Sequence, residues 1–226
     1  LVESVVDGGI SLDDAYDLLD EIEELPNPWG PVAKTVSFMF VGVGFSGVMS
    51  GNLRDIGIAG ILALVVYINV YFAHKYEGRL FELLPFSSAY MVGILAAIAK
   101  IYVPEINVSV VIPSAVISII PGFTVSAGIV EMVSNHVVSG SANLISGVIY
   151  LLKQFFGAWF GLATVGLVWP VTNIAASVAT ESLGIWIFLP LLFIGLGIAY
   201  QSLIKDFPWV MACCLVSYLG VQFGNA

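Results

Sequence analysis

Residues 56–74 read IGIAGILALVVYINVYFAH and contain no charged side chain. A helix needs about 20 mainly apolar residues to cross the hydrocarbon core of a bilayer. Seven further uncharged stretches occupy 35–53, 83–99, 106–130, 132–152, 154–180, 182–204 and 207–226. These stretches are too long and too uniformly apolar for barrel strands, which alternate apolar and polar residues in segments of about 10. The pattern predicts an all-α fold, a polytopic transmembrane helical bundle.

The composition supports the same fold class. Of the 226 residues, 59% are hydrophobic and 10% are charged, and the mean hydropathy is +0.99. An average soluble domain carries roughly 25% charged residues. The sequence therefore predicts an integral, multi-pass membrane protein with the lipid bilayer as its main partner, without indicating which membrane. Seven Lys and Arg residues are too few for a nucleic-acid partner.

The first 30 residues differ from the rest of the chain. Nine of the 16 acids lie within residues 1–24, and no Lys or Arg precedes Lys34. Ser11 followed by Asp14 has the spacing of a helix capping box, and prolines end the segment at 26, 28 and 31. We predict that 1–30 is a short, soluble, acidic helical segment.

The apolar stretches predict about seven spans. Residues 31–168 should form a five-span membrane domain, and residues 169–226 a loop with two further transmembrane helices. Within 106–152 we expect one full span, a break at Pro121-Gly122, a short helix and the start of the next span, which continues through Lys153 to about residue 168.

The Pro121-Gly122 pair interrupts a long apolar run. Proline lacks an N–H and clashes with the preceding turn, and glycine frees the backbone. A helix that restarts there, with Thr124 or Ser126 near its N-terminus, would present unpaired N–H groups and the positive end of a helix dipole. Transporters use such ends to hold a substrate carboxylate. The alternative is a turn at the membrane edge.

Two ionisable residues, Glu131 and Lys153, lie inside apolar runs. Ionisable groups within a membrane are costly and therefore suggest function. Lys153 is flanked by apolar residues, which places it within a span, and Glu131 could be its partner and a proton-sensing carboxylate. The alternatives are that Lys153 extends to the interface and that Glu131 lies in an exposed turn.

The first span carries small residues at Gly42, Ser46, Gly47 and Gly51. Small residues allow helix backbones to approach closely. Close packing is one interpretation, and sliding of this helix during transport is the other.

Soluble-enzyme chemistry is not indicated. His74 and His136 are isolated and no metal-ligand spacing accompanies them. The sequence contains no phosphate-binding or dinucleotide-binding fingerprint. We therefore expect no enzyme activity, no cofactor and no metal.

Three stretches together resemble a known family. Residues 119–144 read IIPGFTVSAGIVEMVSNHVVSGSANL, residues 9–15 read GISLDDA, and residues 50–55 read SGNLRD. In order and spacing they resemble the threonine/serine exporter family, and are nearest to its eukaryotic branch, which includes fungal pheromone-regulated membrane proteins. The resemblance covers most of the chain from about residue 9 to residue 161.

The resemblance implies a secondary transporter that exports small polar amino acids, driven by protons. Pro121 and Gly122 would break the helix, and Thr124 and Ser126 would help to hold a carboxylate. Glu131 would be the proton or ammonium partner. The turn at the opposite mouth would be shaped by Asn52 and Asp55. The implied partners are an amino-acid substrate and protons.

The chain departs from the family in two respects. Members commonly have about ten spans in two halves of five, so the missing spans would belong to a longer form of this chain or be supplied by an oligomer or a second chain. Lys153 stands where an apolar residue is usual. The incomplete architecture motivates an alternative function, a non-transporting accessory subunit of a membrane complex.

Overall fold

The computed structural model describes residues 28–75, 79–169 and 184–224, together with residues 14, 16, 18 and 19. The ordered elements in the main described ranges are helices. They are α1 (Pro31–Val48), α2 (Leu53–Lys75), α3 (Arg79–Tyr102), α4 (Val108–Val116) with a 3-10 turn (Ile117–Ile119), α5 (Gly122–Val133), α6 (Val137–Gly166), α7 (Ile185–Ala199) and α8 (Phe207–Gly224).

Five helices are long and apolar enough to cross a membrane, namely α1, α2, α3, α6 and α8. The segment before the Pro-Gly pair and α5 form a sixth candidate, bent by 66°. The 15-residue α7 is a shorter apolar helix. This count agrees with the predicted all-α bundle of about seven spans.

The helix break at Pro121-Gly122 is confirmed, but the full span expected before it is wrong. From Val108 to Ile119 the helical segment has 12 residues, or about 18 Å at 1.5 Å per residue. This segment is too short to cross a bilayer alone, and it becomes a candidate span only with α5. The predicted continuation through Lys153 is confirmed, because α6 runs unbroken to Gly166.

The predicted capping box at Ser11 and the predicted loop at 169–183 lie almost entirely outside the described residues. Of the acidic segment 1–30, residues 14, 16, 18 and 19 are helical and exposed, whereas residues 28–30 lie outside any helix. Trp169 and Trp186, which flank this loop, are 57% and 79% exposed.

Glycines bring α1 close to two neighbours. A Cβ atom at Gly42 would lie 2.8 Å from the Ala59 carbonyl oxygen of α2, and one at Gly44 would lie 2.7 Å from the Leu192 nitrogen of α7. Both distances are shorter than any side chain tolerates, so α1 fits between α2 and α7 because these positions lack side chains. The geometry favours the packing interpretation of the small residues.

Glycines also allow α3 and α6 to approach closely. A Cβ atom at Gly157 would lie 2.4 Å from the Phe86 carbonyl oxygen, and one at Gly161 would lie 2.4 Å from the Tyr90 carbonyl oxygen. The contact advances four residues along both helices, so α3 and α6 run parallel. Helix α4 packs against α1, α2 and α3 and contributes Val111 and Ala115 to the main core cluster.

Three helices end in left-handed residues that are not glycine. These are Ser50 after α1, Asn135 after α5 and Gln201 after α7, with φ of 58°, 65° and 56°. After α1, the Gly51 N–H donates to the Ser46 carbonyl and the Ser50 N–H to the Gly47 carbonyl. This is the Schellman pattern, which satisfies carbonyls that the helix leaves without partners.

The α3–α6 contact is tested by Gly157→Ala, with Gly166→Ala as its matched control on the same helix. The first substitution forces a methyl group against the Phe86 carbonyl, whereas nothing lies within 4 Å of a Cβ atom at Gly166. Overpacking costs about 1–3 kcal/mol, so we expect the thermal midpoint of Gly157→Ala in detergent to fall by roughly 2–10 °C. Gly166→Ala should leave it unchanged or raise it. Equal midpoints for the two variants would contradict this packing.

Candidate functional site

The helix break has a defined backbone path. Ile120 is extended, with φ −69° and ψ 133°, which is the conformation favoured before proline. Pro121 then forms the N-cap of α5, and no side chain caps that helix end. Gly122 is exposed and its N–H donates to the Ile120 carbonyl at 2.8 Å. The positive end of the α5 dipole therefore lies at the break without a capping side chain.

The carbonyl side of the break is held by α6. The Gln154 amide nitrogen Nε2 donates to the Ile119 carbonyl oxygen at 3.3 Å, and Gln154 is only 6% exposed. This carbonyl has lost its helical partner because the chain leaves the helix at Ile120. A carbonyl that is shielded from water and has no partner is costly, and Gln154 supplies the partner for this one.

The predicted substrate-binding hydroxyls, those of Thr124 and Ser126, lie on α5. The close α5–α6 contacts involve Gly128 and Val125, because a Cβ atom at Gly128 would lie 2.9 Å from the Gly140 carbonyl oxygen. Thr124 is half-buried and Ser126 is exposed. Both hydroxyls belong to the first turns of α5 and remain near its N-terminus.

Glu131 pairs with Asn143 and not with Lys153. The Asn143 Nδ2 donates to the Glu131 Oε2 at 3.0 Å, which joins α5 to α6. Glu131 also lies seven residues beyond Thr124, about 10 Å along the helix. The ammonium and carboxylate of one amino acid are attached to the same carbon atom, so one substrate cannot contact both residues at once. Glu131 therefore does not fit the ammonium role beside a carboxylate at Thr124.

Lys153 lies ten residues beyond Asn143, about 15 Å further along α6. Its Nζ donates to the Glu82 carbonyl oxygen at 3.1 Å. Glu82 belongs to the first turn of α3, just before an uncharged stretch begins. Lys153 is therefore level with the end of a neighbouring span, which favours the interpretation that it extends to the interface over a deep position.

At the start of α2, Asn52 and Asp55 form a reciprocal cap. Asn52 Oδ1 accepts from the Arg54 and Asp55 N–H groups at 2.9 and 2.8 Å, and Asp55 Oδ2 accepts from the Asn52 N–H at 3.0 Å. The other carboxylate oxygen, Oδ1, accepts from the Asn107 N–H at 2.7 Å. Asn107 is the N-cap of α4, so one carboxylate serves two helix N-termini.

Asp55 is 1% exposed, and the surrounding contacts reinforce its position. The Asn52 Nδ2 donates to the Glu105 carbonyl oxygen at 3.2 Å, and the Arg54 guanidinium pairs with the Glu105 carboxylate. The predicted role of Asn52 and Asp55 in the turn thus extends further, because they join the α1–α2 turn to the α3–α4 connection.

Two features of the site were not assigned from the sequence. Gln154 was visible as a polar residue in an apolar run, but only the fold shows that it faces the Ile119 carbonyl. Gly157 and Gly161 have small-xxx-small spacing, a signal present in the sequence that could have identified the α3–α6 contact. Among the described residues, no group of three or more His, Cys, Asp or Glu side chains is placed to hold a metal ion.

The fold and the break define a multi-pass α-helical membrane protein with a pair of apolar helices bent by 66° at Pro121-Gly122. The family described as "Putative threonine/serine exporter" matches residues 1–165. The chain belongs to this threonine/serine exporter family.

The curated relatives are fungal. The chain is 25% identical over 237 residues to the pheromone-regulated membrane protein 10 of Debaryomyces hansenii, a match that covers 100% of the chain and 23% of the relative. It is 29% identical over 116 residues to the protein of that name from Kluyveromyces lactis, a match that covers 48% of the chain and 12% of the relative. It is 23% identical over 240 residues to the protein of that name from Pichia sorbitophila, a match that covers 100% of the chain and 23% of the relative. The chain thus spans less than a quarter of each relative. No solved structure matches it.

The Asp55 junction is tested by Asp55→Asn, with Glu82→Gln as the control because Glu82 is also a first-turn acid. The amide of Asn places an N–H group against a backbone donor and removes the charge. Hydrogen bonds to charged groups contribute about 1.5–3 kcal/mol each, so the free energy of unfolding should fall by roughly 2–4 kcal/mol. Exposed Glu82 should contribute less than about 1 kcal/mol. Equal denaturation midpoints for the two variants would contradict the role of Asp55.

Proposed function

We propose that the chain is a secondary transporter that exports small polar amino acids such as threonine and serine, by antiport with protons. The observation that carries this proposal is the N-terminus of α5, which no side chain caps, at a 66° bend between two apolar helices in a member of an exporter family. Helix N-termini at such breaks bind anionic groups of substrates in other transporters.

The substrate carboxylate binds at the start of α5. The N-terminus carries roughly half a positive charge, and its first N–H groups point out of the helix. Pro121 fixes the exit from the preceding turn, and Gly122 has no side chain to obstruct a ligand. Thr124 and Ser126 add hydroxyl donors in the first turns. This arrangement matches the carboxylate and hydroxyl groups of a small polar amino acid.

Glu131 carries the proton. Its bond to Asn143 joins α5 to α6, and a charged acceptor makes a stronger hydrogen bond than a neutral one. Protonation therefore weakens the link between the two helices, which couples proton binding to movement of α5. Substrate and proton then occupy opposite ends of α5.

The remaining residues support gating. Asn52 and Asp55 hold the opposite end of the bundle fixed, since they join two helix N-termini through one buried carboxylate. Lys153 fixes α6 against the first turn of α3. Movement at the break then occurs relative to a rigid frame formed by α1, α2, α3 and α4.

A second candidate function is a non-transporting accessory subunit. The observation that favours it is the exposed apolar surface. No described residue of α8 is buried, and the outward face of α5 carries Phe123 and Val133 at 85% and 79% exposure. An oligomer, or a second chain that supplies further spans, would cover these surfaces. A stable complex that survives purification and shows no transport would support this function.

Transport is tested with the purified chain in proteoliposomes. We expect labelled threonine and serine to accumulate by counterflow and to be displaced by unlabelled serine, and an imposed pH gradient to drive uptake of label. Absence of uptake above empty liposomes, from protein that is folded, would contradict the transporter proposal and favour the accessory subunit.

The proton role is tested by Glu131→Gln, whose side-chain oxygen can still accept from Asn143. We expect counterflow, which needs no net proton movement, to be retained, and uptake driven by the pH gradient to be lost. Glu82→Gln serves as the control and should retain both activities. If Glu131→Gln responds to the pH gradient as the unmodified chain does, Glu131 does not carry the proton.

A further inference from the structure

A cleft lies between α4 and α6, with α3 as its floor. Its volume is about 400 Å³. Ala89 of α3 and Ile112 and Val116 of α4 form buried walls, with 1%, 8% and 5% exposure. On the α6 side the mouth is lined by Leu151 and Phe155, which are 40% and 64% exposed. The cleft therefore opens through the outer surface of the helix bundle.

The lining selects a hydrocarbon ligand. Its polar side chains are Ser109 at one end of α4 and Gln154 near the other, and Gln154 already donates to the Ile119 carbonyl. A free amino acid would lose its hydration there without gaining partners for its charges. Apolar cavities do not hold water, and an unfilled cavity forfeits dispersion contacts along its walls. The bilayer surrounds this surface and supplies acyl chains.

A cation lies at one end of the same cleft. Lys153 immediately precedes Gln154 on α6, and its Nζ donates to the Glu82 carbonyl oxygen. Glu82 and Ala89 are seven residues apart, which places them on the same face of α3, about 10 Å apart along the axis. The Lys153 ammonium therefore lies in line with the floor of the cleft. An ammonium has three donors, and the Glu82 carbonyl accepts one of them.

We propose that this cleft binds an anionic phospholipid of the surrounding bilayer, with one acyl chain between α4 and α6 and the headgroup phosphate at Lys153. The acyl chain contacts Ile120 and Gln154, which lie at the helix break. The bound lipid therefore forms one wall of the break. The exposed Glu82 carboxylate is the nearby acid that opposes the phosphate, and the ammonium must outweigh it. The proposal does not depend on which substrate is transported.

The test measures lipid binding by native mass spectrometry of the purified full chain in a neutral detergent. Equimolar phosphatidylglycerol and phosphatidylcholine with identical acyl chains are added, and the ratio of the two singly bound species is recorded. A lysine near anionic headgroups contributes roughly a fivefold preference. We expect the chain to favour phosphatidylglycerol by about this factor, and Lys153→Gln to bind both lipids equally.

The acyl-chain position is tested by Ala158→Phe, because Ala158 lines the cleft and a phenyl ring there would fill it. Ala163→Phe is the control on an exposed position of the same helix. We expect Ala158→Phe to lose the first bound lipid of either type, and Ala163→Phe to behave as the unmodified chain.

Each contrary result would overturn the proposal. No headgroup preference in the unmodified protein, or an unchanged preference in Lys153→Gln, would show that the phosphate does not bind at Lys153. Retention of the first lipid by folded Ala158→Phe would show that the acyl chain does not bind in the cleft. Lys153 lies at the accessible end of the cleft, so its variant gives a decisive result even if Ala158→Phe fails to fold.

Discussion

Inside a bilayer each backbone N–H and C=O group needs a partner within the protein, and this requirement decides where the chain can leave a helix. The α1–α2 turn satisfies it with a Schellman pattern at Ser50. The start of α4 satisfies it with the buried Asp55 carboxylate, which accepts the Asn107 N–H. The break before α5 satisfies it in part, because Gln154 donates to the Ile119 carbonyl and the Gly122 N–H donates to the Ile120 carbonyl. The remaining donors at that break are what make it a candidate site.

The two irregular ends of α4 therefore differ in character. At one end a carboxylate that is 1% exposed holds the N-termini of α2 and α4 together, and removing its charge would leave buried donors without partners. At the other end Gly122 is exposed and α5 begins without a capping side chain. A transporter needs both properties, because movement at a binding site has an effect only against a part that does not move.

The fold class and the break followed from composition and local chemistry. Uncharged runs near 20 residues have few structural solutions in a membrane, and Pro-Gly interrupts a helix wherever it occurs. The partners of Glu131 and Lys153 did not follow, because they depend on which helices are neighbours and in which register. Asn143 and the Glu82 carbonyl are close to these side chains only through the packing of α6 on α5 and α3. Gln154 could not be linked to Ile119 for the same reason.

Close packing also identifies the part of the bundle that can move. Gly157 and Gly161 hold α6 against the α3 backbone, so a shift between those helices would disrupt many contacts at once. Among the described helices α5 packs chiefly on α6, and beyond its glycine contact its polar link is the bond from Asn143 to Glu131. Helix α5 therefore carries the uncapped N-terminus at one end and an ionisable carboxylate near the other. In the mechanism that we propose, a proton that weakens the bond between Asn143 and Glu131 would release α5, whose N-terminus would bind the substrate. Proton binding and substrate binding would then be linked without direct contact between substrate and proton.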